Sequence, residues 1–303
     1  MIKNRKEHRI AQLKLIFAIA VWGGSFIATK IAVAEISPVS VVWLRFLIGA
    51  IILGWMAWRR RELAIPSWKV GINFAWLGFL GITLHQWLQS SGLVTSEAGT
   101  TAWIVSTTPI FMAFLGWVFF KEKLTPPIIL GILIATLGVV LVVSKGSFNA
   151  IMAGGFGQPG DFLILLSAPN WAIFSILCQP VLQRFSALKV TFYTLLFGWV
   201  LTSIQFIAGA HWIEYAKLSP AGWLSILFLG IFCSAISYIF YNDGLQILPA
   251  SQVGAFLYFE PLAATAIAAV VLSEQIVLAT LIGGILILAG VWMVNKQAEQ
   301  AAV

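Results

Sequence analysis

The sequence predicts an all-α polytopic membrane protein whose ten transmembrane helices form two five-helix inverted repeats. Three observations carry this prediction: the composition, ten long apolar segments, and a match between the two halves of the chain. Hydrophobic residues make up 60% of the 303 residues and charged residues only 10%, whereas soluble domains average about 25% charged residues. A helix that crosses a bilayer needs about 20 apolar residues. The segments of this kind lie at residues 12–33, 38–58, 70–92, 98–120, 125–144, 161–182, 188–210, 220–242, 249–272 and 276–295.

The charge pattern predicts the orientation of these segments. Basic residues cluster in the N-terminal tail and in alternate loops, while the opposite side carries only Lys30, Lys145 and Lys217. The positive-inside rule therefore places both termini in the cytoplasm. No small-residue cleavage site follows the first segment, which predicts a retained helix rather than a signal peptide. We expect a multi-pass protein of the cytoplasmic (inner) membrane, and we do not interpret the net charge of +7 as a nucleic-acid-binding surface.

An internal repeat relates the two halves of the chain. Residues near the end of the third segment and in the fourth and fifth match residues 152 positions later, and residues in the first two match residues 149 positions later. The matched pairs include Gly92/Gly244, Ala98/Ala250, Pro109/Pro261, Glu122/Glu274, Gly131/Gly283, Gly138/Gly290, Trp22/Trp171 and Ser37/Ser186. Five segments is an odd number, so the halves enter the membrane in opposite directions, as in many secondary transporters. We assign the chain to a first repeat at 1–147, an outer loop at 148–159, a second repeat at 160–296 and a cytoplasmic tail at 297–303.

Several motifs resemble the drug/metabolite transporter superfamily and, within it, the ten-helix EamA-like group. The resemblance rests on Trp22-Gly-Gly-Ser-Phe in the first segment, Arg45 in the second and Glu260-Pro in the ninth, and on the glycine-rich stretches that follow Glu122 and Glu274. It covers nearly the whole chain. It implies an inner-membrane permease, often an exporter of amino acids or related metabolites.

Polar side chains within the segments predict a site for a small-molecule substrate. Inverted-repeat transporters bind substrate near the bilayer midplane, and polar residues inside spans usually face the bundle interior. We predict one cavity with aromatic walls and a few polar contacts, as is common for small-molecule sites. The predicted substrate-binding residues are Trp22, Ser25, Gln86, Trp103, Thr107, Asn170, Trp171, Tyr238, Tyr258 and Glu260.

Several of these residues also have a structural interpretation. Trp22 and Trp171 lie too deep for the interfacial aromatic belt, but they can serve helix packing instead of cavity lining. Gln86 and Tyr238 can join neighbouring helices through hydrogen bonds. Arg45 can extend outward to the membrane surface, or it can pair with a carboxylate or with substrate.

Glu260 is the predicted coupling residue. An ionised carboxylate near the bilayer midplane costs about 3 kcal/mol or more. Burial favours the neutral acid. A carboxyl group that is neutral when it is buried away from water and charged when it is hydrated can couple proton binding to transport. The structural alternative is that Pro261 leaves the carbonyl of Leu257 without its helical donor, and that Glu260 satisfies the polar groups around it. Thr108 occupies the matching position in the first half.

Motifs for catalysis, phosphate binding and metal binding are absent from the sequence. It contains no His-Glu-x-x-His, no Gly-x-Ser-x-Gly and no Gly-x-x-x-x-Gly-Lys. We therefore expect no enzyme, no cofactor and no metal, and we expect uphill transport to use an ion gradient. Cys178 and Cys233 fall within spans and are expected to be free thiols. A membrane-embedded enzyme and a channel or scaffold remain as alternatives, and a homodimer is left open.

Overall fold

The computed structural model describes residues 2–64, 67–108, 110–111, 114–115, 118, 125–147, 157–247, 256–257 and 259–301, with side chains described between residues 7 and 293. The secondary structure of these residues is helical, and they include no strand. The α-helices are α1 (Ile2–Val33), α2 (Pro38–Arg59), α3 (Trp68–Gly78), α4 (His85–Gly92), α5 (Ala98–Val105), α6 (Pro126–Val143), α7 (Pro159–Leu182), α8 (Ala187–Ala208), α9 (Pro220–Phe228), α10 (Tyr238–Ile247), α11 (Phe259–Val271) and α12 (Leu278–Ala301). A short 3-10 helix (His211–Lys217) connects α8 to α9.

Length and composition identify the helices that can cross a membrane. In the described residues, six helical stretches are long and apolar enough: Glu7–Val33, Pro38–Arg59, Pro126–Val143, Pro159–Leu182, Ala187–Ala208 and Pro220–Ile247. Phe259–Val271 and Leu278–Met293 are shorter apolar helices. The predicted class, an all-α polytopic membrane protein, is confirmed for the described part of the chain. The count of ten spans and the inverted arrangement stay predictions.

Four serines define where helices begin. Ser37 and Ser186 accept hydrogen bonds from the backbone N–H groups three residues later, at the starts of α2 and α8. Ser67 and Ser219 do the same at the starts of α3 and α9. Serine is a preferred N-cap because its side-chain oxygen satisfies an N–H group that has no partner inside the helix. Each pair of serines matches at the repeat offset, so the same local signal starts the same helix in each half.

Two π-helical turns interrupt the long helices near the centre of the bundle. Phe79–Leu84 joins α3 to α4, and Leu229–Ser237 joins α9 to α10. Each turn accepts a hydrogen bond from a side chain of another helix. The Trp22 indole donates to the Cys233 carbonyl at 3.2 Å, and the Asn170 amide donates to the Leu80 carbonyl at 2.8 Å. Such turns inside α-helices are frequent at functional sites.

Helices α6 and α12 pack closely along two pairs of glycines. A Cβ atom added to Gly138 would lie 2.6 Å from the carbonyl oxygen of Gly283, and one added to Gly290 would lie 2.3 Å from that of Gly131. Small residues allow helix backbones to approach this closely. Because Gly131 contacts Gly290 and Gly138 contacts Gly283, the two helices run antiparallel. The glycines of each helix are seven residues apart in the sequence, which places them on one helix face.

Polar contacts join the loops at one end of the bundle. The carboxylate of Glu274 accepts a hydrogen bond from the backbone N–H of Ala98 at 2.8 Å, at the start of α5, where a negative charge is favourable. Lys30 donates to the carbonyl of Ser96 at 2.6 Å, and the hydroxyl of Ser96 donates to the carboxylate of Asp161 at 2.5 Å. The charge pattern of the sequence predicts that this end faces the outside of the cell, and this orientation stays a prediction.

Candidate functional site

A central cavity lies where the helices of the two halves meet. Its accessible volume is about 50 Å³, less than the about 300–1,000 Å³ that is typical of small-molecule sites, so the cavity is narrow in this conformation. Helices α1, α2, α4, α7, α10 and α11 line it, together with the end of α5. The lining residues are Trp22, Ser25, Phe26, Arg45, His85, Gln86, Gln89, Val105, Ser106, Thr108, Trp171, Tyr238, Leu257 and Glu260.

Three aromatic rings form one wall of the central cavity. The rings of Trp22 and Trp171 are 6.1 Å apart between centroids and nearly perpendicular, at 88°. The ring of Tyr238 lies 5.4 Å from that of Trp22 and 6.1 Å from that of Trp171, again edge to face. Edge-to-face contacts at this distance are the arrangement that aromatic pairs prefer. The three rings therefore form one continuous aromatic surface.

The glycine that follows Trp22 explains how α1 reaches the cavity. A Cβ atom on Gly23 would lie 2.9 Å from the Cβ of Ala263 and 3.0 Å from the carbonyl oxygen of Glu260. Glycine thus allows α1 to approach the first turn of α11, where Glu260 is located. Gly24 has more room, since its nearest neighbour would be a ring atom of Phe228 at 3.5 Å.

A hydrogen-bonded chain of side chains crosses the cavity from α2 to α10. Nε of Arg45 donates to the hydroxyl of Ser234 at 3.1 Å, and Nη1 of Arg45 donates to Oε1 of Gln86 at 3.1 Å. Nε2 of Gln86 donates to the hydroxyl of Tyr238 at 3.2 Å. Only 3% of Arg45 is exposed, so the guanidinium points inward. The structure therefore excludes the alternative in which Arg45 extends outward to the membrane surface.

Glu260 brings a second ionisable group into the central cavity. It lies in the first turn of α11 and is 7% exposed. Within the described part of the chain, its carboxyl group makes neither a hydrogen bond nor an ion pair, and in particular Arg45 and Glu260 do not form a salt bridge with each other. Burying an unpaired charge is costly. A carboxyl group in this position can bind a proton or a cationic group of a ligand.

His85 packs against the aromatic wall. Its ring centroid lies 4.7 Å from that of Trp171, and its side chain is buried. Among the described residues, Nδ1 of His85 has no hydrogen-bond partner. The ring also interacts with the backbone of Ser167, so Trp171 and Ser167, both on α7, position it together.

The structure brings together six of the ten residues predicted to bind substrate. The six that line the central cavity are Trp22, Ser25, Gln86, Trp171, Tyr238 and Glu260. Trp103 packs instead against Gly284 of α12, Thr107 donates to the carbonyl of Ile104 at 2.6 Å, and Asn170 supports the first π-turn. Tyr258 lies outside the described residues.

Several lining residues were not among those predicted to bind substrate. His85 and Gln89 lie one helical turn apart on α4, beside Gln86, and all three are polar residues of the third apolar segment, which is the signal for a position that faces the bundle interior. Phe26, Val105 and Leu257 are apolar residues in apolar segments, so nothing in the sequence distinguishes them from residues that face lipid.

The described residues contain no cluster that could hold a metal ion. No group of three or more His, Cys, Asp or Glu side chains converges among them. Cys178 and Cys233 are free and buried, as predicted. The polar groups that line the central cavity are amides, hydroxyls, one imidazole, one guanidinium and one carboxyl group, beside its aromatic rings.

Comparison with known proteins gives consistent results. Residues 9–144 and residues 158–296 each match the EamA-like transporter family. An uncharacterized transporter of Archaeoglobus fulgidus is 28% identical over 98% of this chain and 100% of the relative. A probable terminal-alkyne amino-acid exporter of Streptantibioticus cattleyicolor is 26% identical over 93% of this chain and 92% of the relative. A crystal structure with 21% identity covers 96% of this chain and 98% of its own, with a TM-score of 0.67, and shows the same fold.

Proposed function

Because the chain belongs to the EamA-like transporter family, we propose that it is a secondary transporter that moves small amphipathic metabolites, including amino acids, across the cytoplasmic membrane by alternating access. The observation that carries the proposal is the central cavity between the two halves. Its aromatic wall and few polar groups suit a substrate with an apolar body and a polar end. The name of the Streptantibioticus relative favours amino acids and export.

The contacts between matched residues support two inverted repeats, at 1–147 and 160–296. In an arrangement with a two-fold axis, a residue touches its own counterpart only next to the axis. Gln86 and Tyr238 are 152 positions apart and hydrogen-bonded to each other. Trp22 and Trp171, which match at the other offset, are in ring contact. The axis would therefore pass through the cavity, which is where inverted-repeat transporters bind their substrates.

The antiparallel glycine contacts fit the same axis. Gly131 and Gly283 are counterparts, and so are Gly138 and Gly290. Gly131 contacts Gly290 and Gly138 contacts Gly283, so each contact joins one pair of counterparts to the other pair. An axis in the membrane plane between α6 and α12 produces this crossed pairing. We propose that the ten predicted spans, five in each half, are related in this way.

We further propose that Glu260 couples the cycle to protons. Its carboxyl group faces the cavity, and the other ionisable side chains that line it are Arg45, His85 and Tyr238. When the cavity opens to water, the carboxylate is solvated and can release its proton. When the cavity closes, the protonated or the ligand-bound form is favoured, because an unpaired buried carboxylate is costly.

A flux assay tests the proposed function. Purified protein is reconstituted in proteoliposomes and supplied with labelled amino acids, amines and short carboxylic acids. We expect saturable flux of at least one of these solutes, with faster exchange when the same unlabelled solute is present on the opposite side. Unsaturable flux would indicate a channel, and no flux of any solute would favour a scaffold or an enzyme.

The proposed orientation has its own test. A cysteine at Arg60, at the end of α2, should react with a membrane-impermeant thiol reagent only from the cytoplasmic side. A cysteine at Ser147, after α6, should react only from outside. Reaction of the Ser147 variant from the cytoplasm would contradict the orientation and the number of spans before it.

A further inference from the structure

We propose that Arg45 recognises the carboxylate of a zwitterionic substrate. Glu260 then faces the ammonium group of the same substrate. The inference rests on the proposed function and specifies which residues select the substrate. Arg45 is then a specificity-determining residue, and Gln86 is a positioning residue that acts through it.

The guanidinium of Arg45 is held so that part of it stays available. An arginine has five N–H donors. Ser234 and Gln86 take one each, and within the described residues Arg45 makes no other hydrogen bond and no salt bridge. The two partners lie on different helices and fix the plane of the guanidinium. The remaining donors, including both on Nη2, can meet an oxyanion in the central cavity, since Arg45 lines it.

Charge balance favours a carboxylate of a zwitterion over a phosphate. Arginine binds carboxylate and phosphate in the same paired geometry, so the donor alone does not distinguish the two. The cavity, however, also contains Glu260. With Arg45 positive and Glu260 negative, a zwitterion supplies the opposite charge to each and adds no net charge. A phosphate group would add up to two negative charges beside a carboxylate, which is unfavourable in a buried site.

The repeat shows that the fold does not require these two charges. Thr194 occupies the position that matches Arg45, and Thr108 occupies the position that matches Glu260. Both threonines are 2% exposed, so they are as deeply buried as their counterparts. The same helix position is thus filled by a neutral side chain in one half and by a charged one in the other. A packing requirement does not explain the charges, whereas recognition of a charged ligand does.

Binding of matched ligand pairs to the purified protein tests the inference. The probes are the L-amino acids alanine, leucine, methionine, phenylalanine and tryptophan, and the amides of the same five, in which an uncharged amide replaces the carboxylate. 3-Phenylpropionate and phenyl phosphate are added as oxyanions without an amine. Binding is measured from thermal shifts over a range of ligand concentrations, because a ligand that binds only the folded protein raises its stability.

For the wild-type protein we expect at least one amino acid to bind, and to bind about 10- to 100-fold more tightly than its amide, as expected for hydrogen bonds between charged groups. In Arg45→Gln this preference should fall to within about twofold, since the charge is lost. Arg45→Lys keeps the charge but not the planar fork, and should show an intermediate preference. Arg59→Gln, on the same helix but exposed beside Trp55, is the matched control and should keep the full preference.

The wild-type data decide the inference even if Arg45→Gln does not fold. Equal binding of amino acids and amides would overturn the role of Arg45, and so would a preference that Arg45→Gln retains. Binding of none of the five amino acids, or tighter binding of phenyl phosphate than of 3-phenylpropionate, would overturn the zwitterion as the substrate class. The proposed function is judged separately, by saturable flux of any solute, so the two can fail independently.

Discussion

The first half of the chain and the second half use the same features for structure. Ser37 and Ser67 begin α2 and α3, and their counterparts begin α8 and α9. Both halves carry a π-turn at matching positions, and both contribute a tryptophan to the wall of the central cavity. Helix starts, close approaches and aromatic surfaces are therefore the part of the molecule that the repeat preserves.

The halves differ in the charged groups of the cavity. The first half supplies Arg45 where the second has Thr194, and the second supplies Glu260 where the first has Thr108. The hydrogen bond between Gln86 and Tyr238 joins matched positions that carry different side chains. The comparison indicates that the shared framework is repeated, while the charged groups, which we propose select a ligand and a proton, occur once each.

The largest expected effect concerns the framework. Gly138→Val and Gly290→Val each place a side chain where a Cβ atom alone would come within 2.6 Å and 2.3 Å of a backbone oxygen. We expect each to destabilise the protein by about 3 kcal/mol or more, and by similar amounts, because the sites are counterparts. The measurement is the yield of monodisperse protein and its thermal unfolding. Gly24→Ala is the control and should be tolerated. A large difference in stability between the two valine variants would show that the two halves are not structurally equivalent at this contact.

The next effect concerns the aromatic wall. Trp22→Ala and Trp171→Ala should each lower transport about 10-fold or more, beyond any loss of folded protein, because each removes ring contacts of the edge-to-face kind from the cavity. Flux per folded molecule is the quantity to measure. Trp76→Ala is the matched control, since Trp76 is 60% exposed on α3 and should leave transport unchanged. Normal flux in both cavity variants would remove the wall from the transport path.

A more selective effect is expected at Glu260. Glu260→Gln keeps the shape of the side chain but cannot titrate. Exchange of substrate should persist at a reduced rate, because Glu260 also faces the ammonium group in the proposed binding mode, and its stimulation by a pH gradient should be lost. Glu97→Gln changes an exposed carboxylate that pairs with Lys145 at 2.5 Å and should keep the stimulation. If Glu260→Gln retains full pH-driven transport, the structural role of Glu260 is the correct one.

The smallest effect concerns the loop between α8 and α9. Burial alone would raise the pKa of Glu214, but hydrogen bonds from Ser40, His211 and Ser37 lower it to about 2. A lowered pKa means that these bonds add stability above the usual carboxyl pKa, and that this contribution is lost as the pH falls from about 4 to about 2. Glu214→Gln should lower the melting temperature at neutral pH by about 2–4 °C, as for a loss of about 1 kcal/mol, and the difference from wild type should shrink in that acid range. A difference that is constant down to pH 2 would contradict this explanation.

The sequence was sufficient for the features that depend on local or periodic signals. Apolar length and composition predict a polytopic helical membrane protein, and glycines spaced by seven predict the close contact of α6 with α12. Polar residues in apolar segments are rare, so Gln86, Tyr238 and Glu260 could be assigned to an internal cavity.

Other features depend on how each helix is rotated, which uniformly apolar segments do not encode. Trp103 and Trp22 are the same type of residue and both are buried, yet Trp103 faces Gly284 and Trp22 faces the cavity. The direction of Arg45 is set by Ser234 and Gln86, which are 189 and 41 positions away along the chain. The π-turns add a residue to a helical turn and are visible only in the backbone hydrogen bonds.

We propose that substrate passes through the cavity between the halves by alternating access. The most direct test places a single cysteine at Ser25, which lines the cavity, in a protein whose Cys178 and Cys233 are replaced by alanine. Labelling by an impermeant thiol reagent is measured in right-side-out and in inside-out vesicles, with a cysteine at Ser147 as the one-sided control. We predict that Ser25→Cys reacts from both faces and that a transported solute slows the reaction from each. Labelling from neither face, or from both at rates that solute does not change, would show that substrate does not pass through this cavity.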